Sequence, residues 1–343
     1  MEKLVVGVVG LRMGEYHLQG AIDNGAEIGL ICDPDAERLK KVGDDNNIPE
    51  EKRTLNWHDV VENKEINTVI IASPDQAHRE QVEAFLNAGK HIMCEKPLAL
   101  TKADLDAIVG MVHAHPECKF MVGQICRFTP AFVKAKELVD AGRIGELYFV
   151  ESEYAHDYQY MFEGETLNWR ADPARHGVIG GGCHAVDLLR WIVGEDPTEV
   201  FAYGTHKLLP KVTYDDATVS LLKFPGNVMG KVFVSTGCKR NYTMRTCLYG
   251  TKGTLIFDNT SPTMEFFEAD DEGHGADKAQ IIEIDVNNHN AKEEFASFAN
   301  CLKNDLPIEM TVIEGAKTVS ACISIVESSV TGKLVHPDYT FGL

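Results

Sequence analysis

Short apolar runs alternate with amphipathic stretches through the first third of the chain. Leu4–Val9 reads as a strand and Gly14–Asn24 as a helix. Glu27–Cys32 is a second strand, and a helix follows from Asp35 to about Val42. Thr68–Ala72 predicts a buried strand, Ala77–Ala88 a helix closed by Gly89, and His91–Glu95 another strand. Repeated strand–helix units with turn residues between them indicate a parallel, doubly wound sheet. Phe120–Gly123 fits its last strand.

Beyond a helix at Ala131–Ala141 the pattern changes. Glu146–Tyr154, Val200–Gly204, Thr218–Phe224, Val228–Ser235, Thr243–Tyr249, Thr254–Asp258, Met264–Phe267 and Ile281–Val286 are strand candidates. Several alternate apolar with polar residues, the period of an antiparallel sheet covered on one face. One helix, His184–Val193, interrupts them with Val186, Leu189 and Val193 on a single stripe, and helices near Ala291–Asn304 and Ile313–Ser329 close the chain. The change of pattern predicts two domains, residues 1–125 and 126–343, with a C-terminal helix able to pack back on the first.

Composition narrows the functions open to such a chain. Fifty-two acidic against 33 basic residues leave a formal charge of −19, which disfavours nucleic-acid phosphates and anionic lipid as partners. No apolar run approaches the roughly 20 residues that span a bilayer. The first residues enter a strand with no signal-peptide order, and the nine cysteines are scattered with no Cys-x-x-Cys pair. A reducing cytoplasm is the expected home, with neither disulfide framework nor zinc site. His113 and His115 are too closely spaced to present two imidazoles to one ion, so no metal is expected. No Gly-x-Ser-x-Gly elbow is present either. Small-molecule catalysis fits best.

The first turn reads Gly10-Leu-Arg12-Met13-Gly14 between a strand and a helix. Glycine there lets the backbone turn sharply and brings helix N–H groups against a pyrophosphate. The usual Gly-x-Gly-x-x-Gly is one residue shorter here and lacks its middle glycine. Asp33 ends the second strand 19 residues after Gly14. A carboxylate in that place accepts both ribose hydroxyls and repels a 2′-phosphate, so NAD is expected over NADP. Arg38 on the next helix joins this set. Ser73, Pro74 and His78 follow a predicted parallel strand at the ligand-binding edge, although a turn capping the helix at Ala77 would account for them equally. Glu95, Lys96 and Pro97 close the next strand at that edge. A lysine beside an oxidised nicotinamide has a lowered proton affinity and can take a hydroxyl proton. A solvated lysine after a strand is the simpler alternative.

Taken in order, these segments resemble the Gfo/Idh/MocA family, which includes glucose–fructose oxidoreductase and inositol dehydrogenase. The glycine turn, Ser73-Pro74-x-x-x-His78 and Glu95-Lys96-Pro97 carry the likeness. It continues through Gly123-Gln124, Arg127-Phe128-Thr129-Pro130, Asn168-Trp169-Arg170, Gly180-Gly181-Gly182, His184-x-x-Asp187 and Gly250-Thr-Lys-Gly253. The resemblance implies an N-terminal Rossmann domain and a C-terminal α/β domain with a large open-faced, mostly antiparallel sheet, assembled as a homodimer or homotetramer. It also implies a cofactor set of Gly10, Arg12, Met13, Gly14, Asp33, Arg38, Ser73, Pro74, His78, Glu95, Lys96 and Gln124. Lys96 and His184 become the catalytic pair. Arg127, His156, Trp169, Arg170 and Asp172 join them toward substrate. Many members carry Asp four residues before the histidine, where this chain has Gly180, so Gly180→Asp is expected to be tolerated or to alter the pH profile of oxidation without abolishing it.

The expected activity is NAD-dependent transfer of a hydride to or from a secondary hydroxyl of a sugar, inositol or glycoside. A related alternative is glycoside C3 oxidation, or redox-assisted glycoside cleavage, with tightly bound NAD. A third is a non-catalytic sugar- or dinucleotide-sensing regulator.

Overall fold

The computed structural model describes residues 3–163 and 168–342. Its elements run β1 (Val5–Val9), α1 (Gly14–Asp23), β2 (Glu27–Cys32), α2 (Ala36–Asp45), β3 (Arg53–Thr54), α3 (His58–Glu62), β4 (Thr68–Ile71), α4 (His78–Asn87), β5 (His91–Glu95), α5 (Lys102–Ala114) and β6 (Phe120–Gly123). Then follow α6 (Pro130–Asp140), β7 (Leu147–Ala155), α7 (Gly177–Gly180), α8 (Cys183–Val193), β8 (Glu199–Thr205), β9 (Ala217–Phe224), β10 (Val228–Ser235) and β11 (Thr246–Gly250). The chain ends with β12 (Gly253–Phe257), β13 (Thr263–Glu268), β14 (Gln280–Glu283), α9 (Ala291–Asn304) and α10 (Val312–Thr331). It divides into two units, one of residues 1–125, 289–316 and 340–343, the other of residues 126–288 and 317–339. No helix of the described residues is long and apolar enough to cross a membrane.

In the first unit a six-stranded, wholly parallel sheet has the order β3-β2-β1-β4-β5-β6. Its inner strands are apolar on both faces, and β4 is buried at every residue, as helices on both sides of a parallel sheet require. Register aligns the strand ends: Val9 pairs with Cys32 and with Ile71, and Ile71 with Cys94. The residues that follow β1, β2, β4, β5 and β6 therefore gather along one edge. Local chemistry starts the helices. Asp35 accepts the Glu37 and Arg38 N–H groups at 3.1 Å each to cap α2, and Thr101 caps α5 through Asp104 at 3.2 Å. α9 lies on α1 so closely that a Cβ at Gly20 would stand 2.5 Å from the Ala291 carbonyl oxygen.

In the second unit eight strands order as β14-β13-β12-β11-β7-β10-β9-β8, antiparallel throughout except β7 beside β10. β9 alternates buried with exposed residues along its length, so one face is covered and the other open. The covered face packs on α8, which buries nine residues from Cys183 to Ile192. Gly194, at φ +78°, ends that helix in the left-handed conformation that glycine adopts without steric penalty.

Candidate active site

Gly10 follows β1 with φ +85°, and its N–H donates to the Cys32 carbonyl at 2.8 Å. A Cβ there would lie 2.5 Å from the Ala72 carbonyl oxygen and 2.7 Å from the Ser73 nitrogen. Only glycine permits that approach. It occurs between β1 and β4, where the strand order reverses and open α/β sheets bind their ligands. The Asp33 carboxylate is buried at the end of β2 and accepts the Leu11 N–H at 2.8 Å and the Asp35 N–H at 2.9 Å. Those bonds fix it beneath the glycine turn, and each oxygen keeps a further lone pair for a hydroxyl. Arg12 is exposed on the turn itself, and the Met13 carbonyl opens α1 by accepting the Tyr16 N–H at 3.0 Å.

After β4, Ser73 Oγ donates to Gln81 Oε1 at 2.6 Å, and the Pro74 carbonyl accepts the Ala77 N–H at 2.9 Å. His78 is wholly buried. Its Nδ1 faces the Pro97 and Leu98 carbonyls at 3.1 and 3.3 Å, and its Nε2 the Ser73 carbonyl at 3.2 Å. The imidazole thus ties the loop after β4 to the loop after β5. Both of its nitrogens are occupied by backbone, which places His78 behind the edge and not on it. Arg38 Nε and Gln124 Oε1 are among the polar atoms of this unit that stay buried without a hydrogen-bond partner. Open lone pairs on Asp33, a glycine-only turn and these two atoms fit a dinucleotide laid along the strand ends.

Lys96 follows β5, joined to Pro97 by a cis peptide bond, and its N–H donates to Glu95 Oε2 at 3.0 Å. The other Glu95 oxygen receives His17 Nε2 at 2.6 Å. Burial alone would raise the Glu95 pKa, but His17 and Lys96 hold it below the usual range, so the carboxylate is ionised.

In the second unit His184 lies in the first turn of α8. Its Nδ1 is 3.3 Å from Cys126 Sγ, and its ring stacks on Tyr154 at 6.1 Å. The Tyr154 hydroxyl meets Tyr158 at 2.7 Å and His156 Nδ1 at 3.3 Å, and Tyr242 packs on both Tyr154 and His156. Burial, and then neighbouring phenols and thiols, push the Tyr154 and Tyr242 hydroxyls well above their ordinary range, which keeps them protonated. The glycine run explains how α8 comes so near these rings: a Cβ at Gly181 would stand 2.6 Å from the Tyr158 hydroxyl.

Gly180 itself has a buried neighbour that the sequence does not show. The direction of a Gly180 Cβ is filled by the guanidinium of Arg175, which is buried and donates to the Gly180 carbonyl at 3.2 Å. Any side chain there must displace it. The remaining residues take distinct places. Arg127 grips Asp187 with Nε and Nη2 at 2.8 and 2.7 Å, and Thr318 Oγ1 adds a third bond to that carboxylate at 2.9 Å. That use anchors α8 to the segment after β6. Arg170 and Arg175 both stack on Trp169, at 4.2 and 4.9 Å. Asp172 accepts the Ala174 N–H at 2.9 Å.

Sequence reading missed Tyr154, Tyr158, Tyr242 and Cys126 around His184, and His17 and Glu294 behind Glu95. The last two carried a signal. Both occupy apolar-stripe positions of amphipathic helices, among the buried residues Gly14, His17, Leu18 and Ala21 in α1 and Ala291, Glu294, Phe295 and Phe298 in α9.

The parallel sheet with its glycine turn and acidic strand end defines a dinucleotide-binding protein of the Rossmann type. The chain belongs to the GFO/IDH/MocA family. The family's NAD-binding Rossmann-fold oxidoreductase model matches residues 4–124, and its C-terminal domain model matches residues 132–256. The myo-inositol 2-dehydrogenase of Thermotoga maritima is 27% identical over 314 residues, 88% of this chain and 89% of that protein. The scyllo-inositol 2-dehydrogenase (NAD(+)) of Bacillus subtilis is 26% identical over 345 residues, 96% of this chain and 95% of that protein. Among solved structures, levoglucosan dehydrogenase in complex with NADH aligns with a TM-score of 0.86 at 22% identity, covering 98% of this chain and 99% of that one.

Proposed function

We propose that this NAD-binding oxidoreductase oxidises a secondary hydroxyl of a sugar, inositol or glycoside, or reduces the matching ketone, with Lys96 and His184 as its proton-transfer pair. The observation that carries the reading is Lys96 at the end of β5, on the same strand edge as the glycine turn and Asp33. Relatives named for inositol and levoglucosan support polyols and anhydrosugars as the first compounds to try. Asp33 would hold the adenosine ribose and disfavour a 2′-phosphate, so NAD serves before NADP.

Bound NAD would supply the hydride acceptor. Lys96 takes the hydroxyl proton as the carbinol carbon is oxidised and returns it in the reverse direction. His184 shares that proton path, and its place in the first turn of α8, stacked on Tyr154, holds its ring in one orientation. General acid–base assistance of this kind is worth about 10²–10⁴ in rate. Lys96→Ala and His184→Ala should each lower single-turnover hydride transfer by about that factor while NAD still binds. The double variant should lose far less than the product of the two losses, because groups acting as one unit are not additive.

The direct test is a panel of inositols, anhydrosugars and glycosides with NAD and NADP separately, following absorbance of the reduced cofactor. Turnover of a polyol with NAD is the expected result. Near-wild-type rates for Lys96→Ala on the substrate so found would overturn the pair.

A further inference from the structure

His17, on α1, is fully buried between two carboxylates in the first unit. Glu95 Oε1, at the end of β5, is 2.6 Å from Nε2, and Glu294 Oε2, from α9, is 3.5 Å from Nδ1. The second distance is an ion-pair contact too long for a good hydrogen bond. It leaves His17 Nδ1 and both Glu294 oxygens buried without a hydrogen-bond partner. Such atoms are costly inside a protein, and each calls for an explanation.

Three titratable groups in so dry a place cannot ionise independently. With both carboxylates charged and the imidazole neutral, two negative charges would be buried together. Retaining one proton on His17 and one on Glu294 brings the group to neutrality. The environment favours that arrangement. Burial alone would lower the His17 pKa, but its bond to Glu95 and the charges of Glu95 and Glu294 raise it above its ordinary value. Burial pushes Glu294 up to about 8, with Glu95 adding to the rise and His17 and Lys96 opposing it. The other groups facing the cluster are Lys96 on the strand edge and His289, whose pKa is lowered by burial and then by Lys96. Burial, and then the charges of Glu95 and Asp75, hold the neighbouring Cys94 thiol well above its ordinary range. The Lys96 charge reaches His17, Glu95, Glu294 and His289 alike.

We propose that Glu294 is a positioning residue for Lys96: by keeping or losing one proton against His17, it sets the charge of the buried Glu294–His17–Glu95 group behind that lysine. While Glu294 is protonated the group is neutral. Once it ionises, a net negative charge stands behind the ammonium and makes its proton harder to remove. The inference rests on the reading of Lys96 as proton acceptor, and its test does not need turnover.

The experiment is side-chain NMR of the apoprotein across pH, with the Lys96 signal assigned through Lys96→Arg. In wild type both His17 ring nitrogens should carry protons at pH 7, and a neutral His17 there would overturn the proposal even if no variant folds. In Glu294→Gln the Lys96 ammonium should titrate about one pH unit lower than in wild type, since a nearby charge is gone. An unmoved Lys96 titration would overturn the proposal. The pH rise of substrate oxidation should follow, beginning at lower pH in the variant. If the Lys96 signal shifts and the turnover profile does not, the inference stands and Lys96 is not the base.

The stability profile gives a second readout with a fixed sign. A carboxyl whose folded pKa lies near 8, against an ordinary 4.5, binds more protons folded than unfolded between those values. Its contribution is fully present below pH 4.5 and is lost as pH rises through 8. Wild-type Tm should therefore fall more steeply from pH 5.5 to 8.5 than the Tm of Glu294→Gln.

Discussion

Asp33 illustrates how one side chain joins fold and chemistry. Its oxygens already receive the Leu11 and Asp35 N–H groups, so the carboxylate is set in place before any ligand arrives. A charge-assisted hydrogen bond is worth about 1.5–3 kcal/mol. At about 1.4 kcal/mol per decade, Asp33→Ala should weaken NAD binding tenfold to a hundredfold. Calorimetric titration of both cofactors into the apoprotein checks this, and tighter NADP than NAD binding in wild type would contradict it. Reading Asp33 from the sequence was possible because its spacing from the glycine turn is a property of one βαβ unit. His17 and Glu294 are a different case. They meet across 277 residues of chain, and periodicity shows that each is buried without showing against what.

Among elements, the long regular ones were legible and the short ones were not. β5, β6, β10 and α9 have the bounds that apolar pattern and turn residues predict. The two-residue β3 and five-residue α3 escaped notice because so short a piece completes no period of its own. β11 starts later than expected, at Thr246: Thr243 pairs with Ala155 as an isolated bridge, and the Met244 N–H goes to the Asn259 side chain at 2.6 Å. The start of α8 shows why a glycine run could be read only in part. From sequence, Gly180 is a missing carboxylate, whereas in the structure it makes room for Arg175. Overpacking a filled site costs about 1–3 kcal/mol. Gly180→Asp should accordingly lower Tm by several degrees, about 2–4 °C for each kcal/mol in a domain this size. Differential scanning fluorimetry checks it. An unchanged Tm would show that Arg175 yields its place freely.

At the scale of the molecule the open face of the eight-stranded sheet stands out. Tyr203 pairs across strands with Val219, Phe201 with Leu221, and Met229 with Phe149. Tyr203, Val219, Leu221 and Met229 are all exposed. Ion pairs share the surface, Lys223 with Glu199 at 3.0 Å, and Glu151 with both Lys231 at 3.0 Å and Arg245 at 2.6 Å. A face carrying apolar rows and both charge signs can match itself across a two-fold axis. We propose that a second copy covers it, giving a homodimer or a dimer of dimers. Light scattering at micromolar concentration should show at least twice the chain mass of 37.9 kDa, and Leu221→Glu should bring it down to that value. A monomeric wild type would refute the proposal.

The division of the chain also bears on how the protein comes into being. The first unit receives residues 289–316, and then 340–343, only after the whole second sheet has been made. During synthesis the groove on α1 that receives α9 must therefore stay bare, with Gly20 and His17 facing water or a chaperone. A nascent chain stopped between Gly123 and Glu294 would have all six strands of the parallel sheet and its glycine turn, yet His17 would lack its second carboxylate. The charge proposed to stand behind Lys96 would thus be set late. A prematurely ended product would expose that groove and so be a ready substrate for proteases.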